Sequence, residues 1–174
     1  MFKLFSIASL LFICQFSMAF EYTLSFSEAD IQSRIDEILP VKKETFVVVI
    51  TIDQAKVRLL ERVNQVALDT KLFVNGLAGI NAQGRISVQG EITYRSEEGA
   101  FYLSHPVITK FTVDQVPQDI LPKLKELAQA GLDQALFNKP IYVLKDDDMR
   151  HQLLKSSLKS IVIKDKILKA TLGI

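Results

Sequence analysis

At 174 residues, with 48% hydrophobic and 24% charged side chains, the chain has the size and composition of one globular domain with a substantial core, which excludes a disordered polymer. Its 21 basic and 20 acidic residues nearly cancel, which argues against nucleic acid as the partner, since that needs clustered positive charge. The single cysteine, Cys14, leaves no partner for an internal disulfide.

Residues 1–19 read as a secretory leader. Lys3 is the only charge before Glu21, Leu4 to Ile13 is apolar, and Ser17-Met18-Ala19 offers small residues to a signal peptidase. The run is about half the length a membrane span requires. A cut after Ala19 removes one Lys, no acid and the only thiol, leaving 20 basic and 20 acidic residues. A rival cleavage exists, because Leu11-Phe12-Ile13-Cys14 has the outline of a lipoprotein signal that would lipidate Cys14 and anchor the chain at the outer membrane. Phe12 and Ile13 stand where that enzyme takes small residues, so a periplasmic form is expected, with residues 20–174 as one domain.

Tyr22, Leu24 and Phe26 alternate with polar neighbours and predict a strand. Ser27-Glu28-Ala29-Asp30 resembles a capping box, and Ile31, Ile35, Ile38 and Leu39 continue a short helix up to Pro40. From Thr45 to Val113 the period falls to two. Phe46 to Ile52, Ala55 to Leu60 and Val66 to Val74 read as strands, with turns expected at Asp53-Gln54, at Glu61 to Asn64 and across Asn75 to Gly84. In the strand from Arg85 to Arg95, Ile86, Val88, Gly90, Ile92 and Tyr94 share one face. After a turn at Glu97-Glu98-Gly99, alternation places Phe101, Leu103, His105, Val107, Phe111 and Val113 together, with Pro106 forcing a bulge or an edge.

One long helix is expected from about Pro117 to Asn138, with Asp119 as a possible N-cap and Pro140 as its stop. Ile120, Leu124, Leu127, Ala128, Gly131, Leu132 and Ala135 recur at helical spacing and make one apolar face. Beyond it come a strand at Ile141 to Leu144, a short helix from Asp146-Asp147-Asp148 through Leu158, and a closing strand or hairpin about Lys164-Asp165-Lys166. The fold class is α+β: a strongly curved antiparallel sheet wrapped around one long helix, with short flanking helices.

Chemistry is hard to find. The mature chain has two imidazoles, His105 and His151, and adjacent strand residues point apart, so Ser104 and His105 cannot form a nucleophile–base pair directly. Asp69, Glu91 and Asp133 show no ligand or acid–base spacing, and no nucleophile elbow, phosphate loop or metal motif occurs. A non-enzymatic protein without metal or other cofactor is expected. What remains is apolar surface, and the two apolar faces can pack solid or leave a lumen.

Four stretches carry a resemblance: Tyr22-Thr23-Leu24 with Glu28-Ala29-Asp30-Ile31; Gly99-Ala100-Phe101-Tyr102-Leu103; Asp133-Gln134-Ala135-Leu136-Phe137; and Lys139-Pro140-Ile141-Tyr142-Val143-Leu144-Lys145-Asp146-Asp147. With these the chain resembles the YceB family of bacterial envelope lipoproteins, a family of unknown function. That family resembles half of a tubular lipid-binding (TULIP-like) module, in which a curved sheet wraps a long helix around an apolar cavity. The resemblance implies non-covalent binding of a lipid or other long hydrophobic ligand; a monomer that can touch a membrane surface is expected. The expected lining is Ile86, Val88, Ile92, Tyr94, Phe101, Leu103, Val107, Phe111, Leu124, Leu127 and Leu132. The alternative is a solid-cored envelope scaffold that binds a protein partner.

Overall fold

The capping box forms as expected. In the computed structural model, which describes residues 21–76, 81–144 and 158–173, the Asp30 backbone N–H donates to Ser27 Oγ at 3.2 Å. The Ser27 N–H donates back to the Asp30 carboxylate at 2.8 Å, so two orphan donors are satisfied at once. Strand β1 (Glu21–Ser27) thereby passes directly into helix α1 (Glu28–Ile38), whose buried residues are Ile31 and Ile35. The expected leader, residues 77–80 of the turn expected across Asn75 to Gly84, and most of the helix expected after Asp146 lie outside the described residues. Leu158, placed at that helix's end by its spacing, instead opens a strand.

Six strands follow one another as an antiparallel meander: β2 (Val41–Glu44), β3 (Val48–Leu60), β4 (Gln65–Gly76), β5 (Asn81–Arg95), β6 (Ala100–Val113) and, after the long helix, β7 (Pro140–Val143). The sheet curls into a half-barrel because bulges interrupt its ladders. The expected turn at Asp53-Gln54 is one of these. β3 runs straight through it, with Gln54 at φ 53° and the register shifting between Asp53 and Lys56. One extra residue flips the alternation, so Ile50 and Ile52 face inward before the bulge and Ala55, Val57 and Leu59 after it.

The same device acts in β6, where the register shifts twice opposite β5. His105 sits at φ 49°, and the inward face passes from Leu103 to Pro106 and Ile108 and then to Phe111. Simple alternation therefore fails here: His105 and Val107 point outward, and Val107 is 57% exposed. Gly84 belongs to β5 rather than to the preceding turn. A Cβ there would fall 2.0 Å from the Thr112 carbonyl oxygen, so only glycine lets β6 approach.

The long helix α2 (Leu121–Phe137) packs against the inner face through Leu124, Ala128, Leu132 and Leu136. It starts four residues later than Pro117, because Pro117 to Ile120 form a turn closed by the Ile120 N–H on the Pro117 carbonyl at 3.1 Å. Ile120, not Asp119, is the N-cap, and it makes no side-chain cap. At about 25 Å the helix spans most of the sheet's width.

The chain termini form a second, three-stranded sheet in the order β1, β9 (Ile167–Gly173), β8 (Leu158–Lys164). Asp165 and Lys166, both at positive φ, make the two-residue hairpin between β8 and β9. Polar side chains tie the parts together at strand edges. Gln32 of α1 donates to the Ala55 carbonyl at 2.7 Å and accepts from the Val57 N–H at 2.8 Å, while Glu28 accepts from the Leu59 N–H at 2.8 Å. Asn64 in the same way accepts from the Ile163 N–H at 2.7 Å and donates to the Ile161 carbonyl at 2.9 Å. These contacts satisfy edge groups that would otherwise invite another chain.

Candidate functional site

Sheet and helix share one apolar core, and its middle is full. Ile86, Val88, Phe101, Leu103 and Leu132 are each at most 3% exposed. Around Phe101 the filling is aromatic: its ring lies 4.8 Å from Tyr94 and 5.9 Å from Phe26, and Phe26 stands edge-on to Tyr142 at 4.9 Å. Burial there pushes the Tyr94 phenol above its usual pKa. Ile92 is also buried, and Phe111 packs half-buried against the same core. Four of the residues expected to line a lumen (Ile86, Val88, Tyr94 and Leu132) thus help to fill the interior instead, whereas Ile92 and Phe101 border a pocket of about 500 Å³ that also takes in Asp30, Arg34 and Glu37 of α1, and Leu103 borders one at the far end of α2.

Room opens where the helix begins. A pocket of about 430 Å³ lies between the first turns of α2, the segment before it and the ends of β3 and β4, with Val48, Val74, Val116, Pro117, Leu124 and Leu127 in its wall. Val47 and Ile120 stand at its rim. Among the described residues Lys123 is the only charged one in the lining, and its ammonium is paired with Glu126 at 2.9 Å. The Thr45 hydroxyl is turned onto the backbone of Val48. The described part of the wall therefore offers nothing that would fix a polar ligand, and the volume sits at the lower end of the range for small-molecule sites.

The rim carries apolar side chains that water should disfavour. Phe46, just beyond it, is 93% exposed, Val47 59% and Ile120 38%. The alternation reading put Phe46 and Val47 inside a strand; they are the tip of the hairpin between β2 and β3. The sequence carried no signal for this turn, since a loop tip normally takes Gly, Asn or Asp and this one has none of them.

Another pocket, about 510 Å³, lies at the other end of α2 and includes His105, Ser104, Asp133, Arg95 and Phe137. Its groups are engaged elsewhere. Asp133 accepts from Gln129 at 2.9 Å, and Ser104 is hydrogen-bonded to Thr93. Arg95 stacks over Tyr102 at 3.9 Å and donates to the Phe137 carbonyl at 2.8 Å. Glu98, held by Tyr102 and Arg95, has its carboxyl below the usual range. No hydrogen bond or ion pair joins His105 to Asp133. Gln129 lies off the apolar face of α2, yet its amide enters the β6 bulge, accepting from the Ile108 N–H at 3.0 Å and donating to the Pro106 carbonyl. Among the described residues, no group of three or more His, Cys, Asp or Glu could hold a metal, and no helix is long and apolar enough to cross a membrane.

A curled sheet closed on one helix, with a greasy pocket at the helix's N-terminal end, is thus the class of domain present. The chain belongs to the DUF1439 family of proteins of unknown function, whose family model matches residues 26–166. A search of curated proteins finds no match.

Proposed function

We propose that this protein binds one acyl chain of a lipid, or a similarly slender hydrophobic molecule, in the pocket at the start of α2. It does so without chemistry, in the periplasm after its leader is removed; retention of a lipidated Cys14 would place the same site at the outer membrane. The observation that carries this reading is the pocket itself: about 430 Å³ of space against eight apolar side chains, with one paired cation in its described lining. That volume suits a single chain rather than a whole diacyl lipid. The resemblance to the YceB family, and through it to tubular lipid-binding modules, supports the same ligand class. The filled middle confines the ligand to the mouth.

Native mass spectrometry of the purified protein, followed by solvent extraction, tests this. A bound lipid in one-to-one ratio, or saturable uptake of a fluorescent fatty acid, is expected. Protein that is lipid-free and takes up none would favour the alternative, an envelope scaffold whose filled interior serves only to present surfaces to a protein partner.

A further inference from the structure

We propose that the hairpin tip at Phe46-Val47 beds into a lipid bilayer and so holds the pocket mouth against the membrane. The inference rests on the binding reading above and adds where the ligand enters. Its first support is local geometry. The Thr45 N–H donates to the Val48 carbonyl at 2.9 Å, and the Val48 N–H donates to the Thr45 hydroxyl at 3.1 Å. Thr45 thus closes the loop, and Phe46 stands 93% exposed instead of folding back onto the nearby apolar wall. A tip needs turn-forming polar residues, and an exposed Phe-Val pair there serves no packing purpose.

Area separates a membrane from a protein partner. Phe46, Val47 and Ile120 together offer on the order of 350 Å² of exposed surface. A specific protein interface buries roughly 800 Å² on each side, so a second copy or another protein would find less than half of what it needs. A narrow convex tip also fits poorly against a flat protein surface, whereas a fluid bilayer closes around it.

Charge and depth fit the same partner. Glu44 and Lys43 lie two and three residues before Phe46, or roughly 7–10 Å along the strand. That is the depth to which peripheral elements bury their apolar faces, so the first charged residues would sit at head-group level. Lys42, Lys43 and Lys123 are balanced by Glu44, Asp114 and Asp119 on the segments leading into the mouth. A neutral collar matches zwitterionic head groups and does not call for an anionic surface.

The chain contains no tryptophan, so Phe46→Trp in the full chain gives a single reporter. With phosphatidylcholine vesicles its emission should move to the blue and be quenched by brominated phosphatidylcholine, whereas Phe137→Trp, exposed at the far end of α2, should show neither. Phe46→Ser should slow transfer of a fluorescent fatty acid from vesicles roughly tenfold or more, matching the lost burial of one Phe. Uptake of the same fatty acid from solution should be unchanged, because Phe46 is not part of the pocket wall. No quenching in F46W, or normal vesicle transfer by F46S, overturns the proposal. A blue shift that needs no vesicles and grows with protein concentration also overturns it, by assigning the tip to a second copy. Quenching in F46W without any fatty-acid uptake upholds the docking and removes the binding reading instead.

Discussion

Replacing Leu127 by aspartate places a carboxylate in the pocket wall, and the structure sets both of its effects. Leu127 is half-buried against the core and lines the pocket. Losing about half of a leucine's burial costs about 1 kcal/mol, and the new carboxylate can still reach water through the mouth, so its desolvation adds no more than about 1 kcal/mol. Lys123, four residues earlier, is already paired with Glu126 and offers about 0.3 kcal/mol at most. The variant should therefore fold, less stable by about 1–2 kcal/mol in urea titration. Binding should suffer more, since an acyl chain in place would strip water from the carboxylate. A penalty of about 2 kcal/mol or more corresponds to a loss of roughly 30-fold in affinity for palmitate. Leu127→Met conserves volume and polarity and should bind normally, with stability changed by less than about 1.5 kcal/mol. A folded L127D protein with wild-type affinity would show that the ligand does not lie along this wall.

Other expectations follow from named contacts. Gln129→Ala orphans the Ile108 N–H and the Pro106 carbonyl in a partly buried bulge, and should cost about 2–3 kcal/mol in urea unfolding with faster exchange of the Ile108 amide. A loss below about 0.5 kcal/mol would mean that water replaces the clamp. Thr70 is 5% exposed with its hydroxyl unpartnered, so Thr70→Val should stabilise by about 1 kcal/mol in the same assay, and a destabilised variant would contradict the burial. Asp69 accepts from Ser87 at 2.7 Å and from Arg58 at 2.9 Å, and these contacts, Ser87's first, hold its carboxyl below the usual range. Because the folded value is the lower one, the stability it contributes is present above the ordinary carboxylate pKa and lost as pH falls below about 4. Asp69→Asn should flatten that acid limb of a urea-midpoint profile, and an unchanged limb would assign it to other carboxylates.

How far these features could be read in advance depended on how local their causes are. The apolar stripe of α2 and the alternation from Ile86 to Tyr94 need only 3.6- and 2-residue periods, and both lie where spacing put them. The capping box is equally local, three residues from donor to acceptor. His105 and Val107 went to the wrong face because a bulge inserts one residue, and what holds the bulge is Gln129, more than twenty residues away in sequence. The separate terminal sheet escaped notice for the same reason, since Glu21 pairs with Gly173 across the whole chain. At the pocket, Leu124 and Leu127 were visible as helix-face residues. Val48, Val74 and Val116 were not, because nothing in a β-branched run tells a wall with space before it from a wall with a neighbour. Phe46 and Val47 were hidden by composition, as an apolar turn looks like more strand until the register is known.

The central claim is that an acyl chain occupies the mouth and not the middle of the domain. Methyl-labelled protein titrated with palmitate and followed by NMR addresses it directly. The account predicts saturable shifts at Val48, Val74, Leu124 and Leu127, while the methyls of Ile86, Val88 and Leu132 stay where they were. Shifts concentrated on those last three, or no shifts at saturating palmitate, would contradict it.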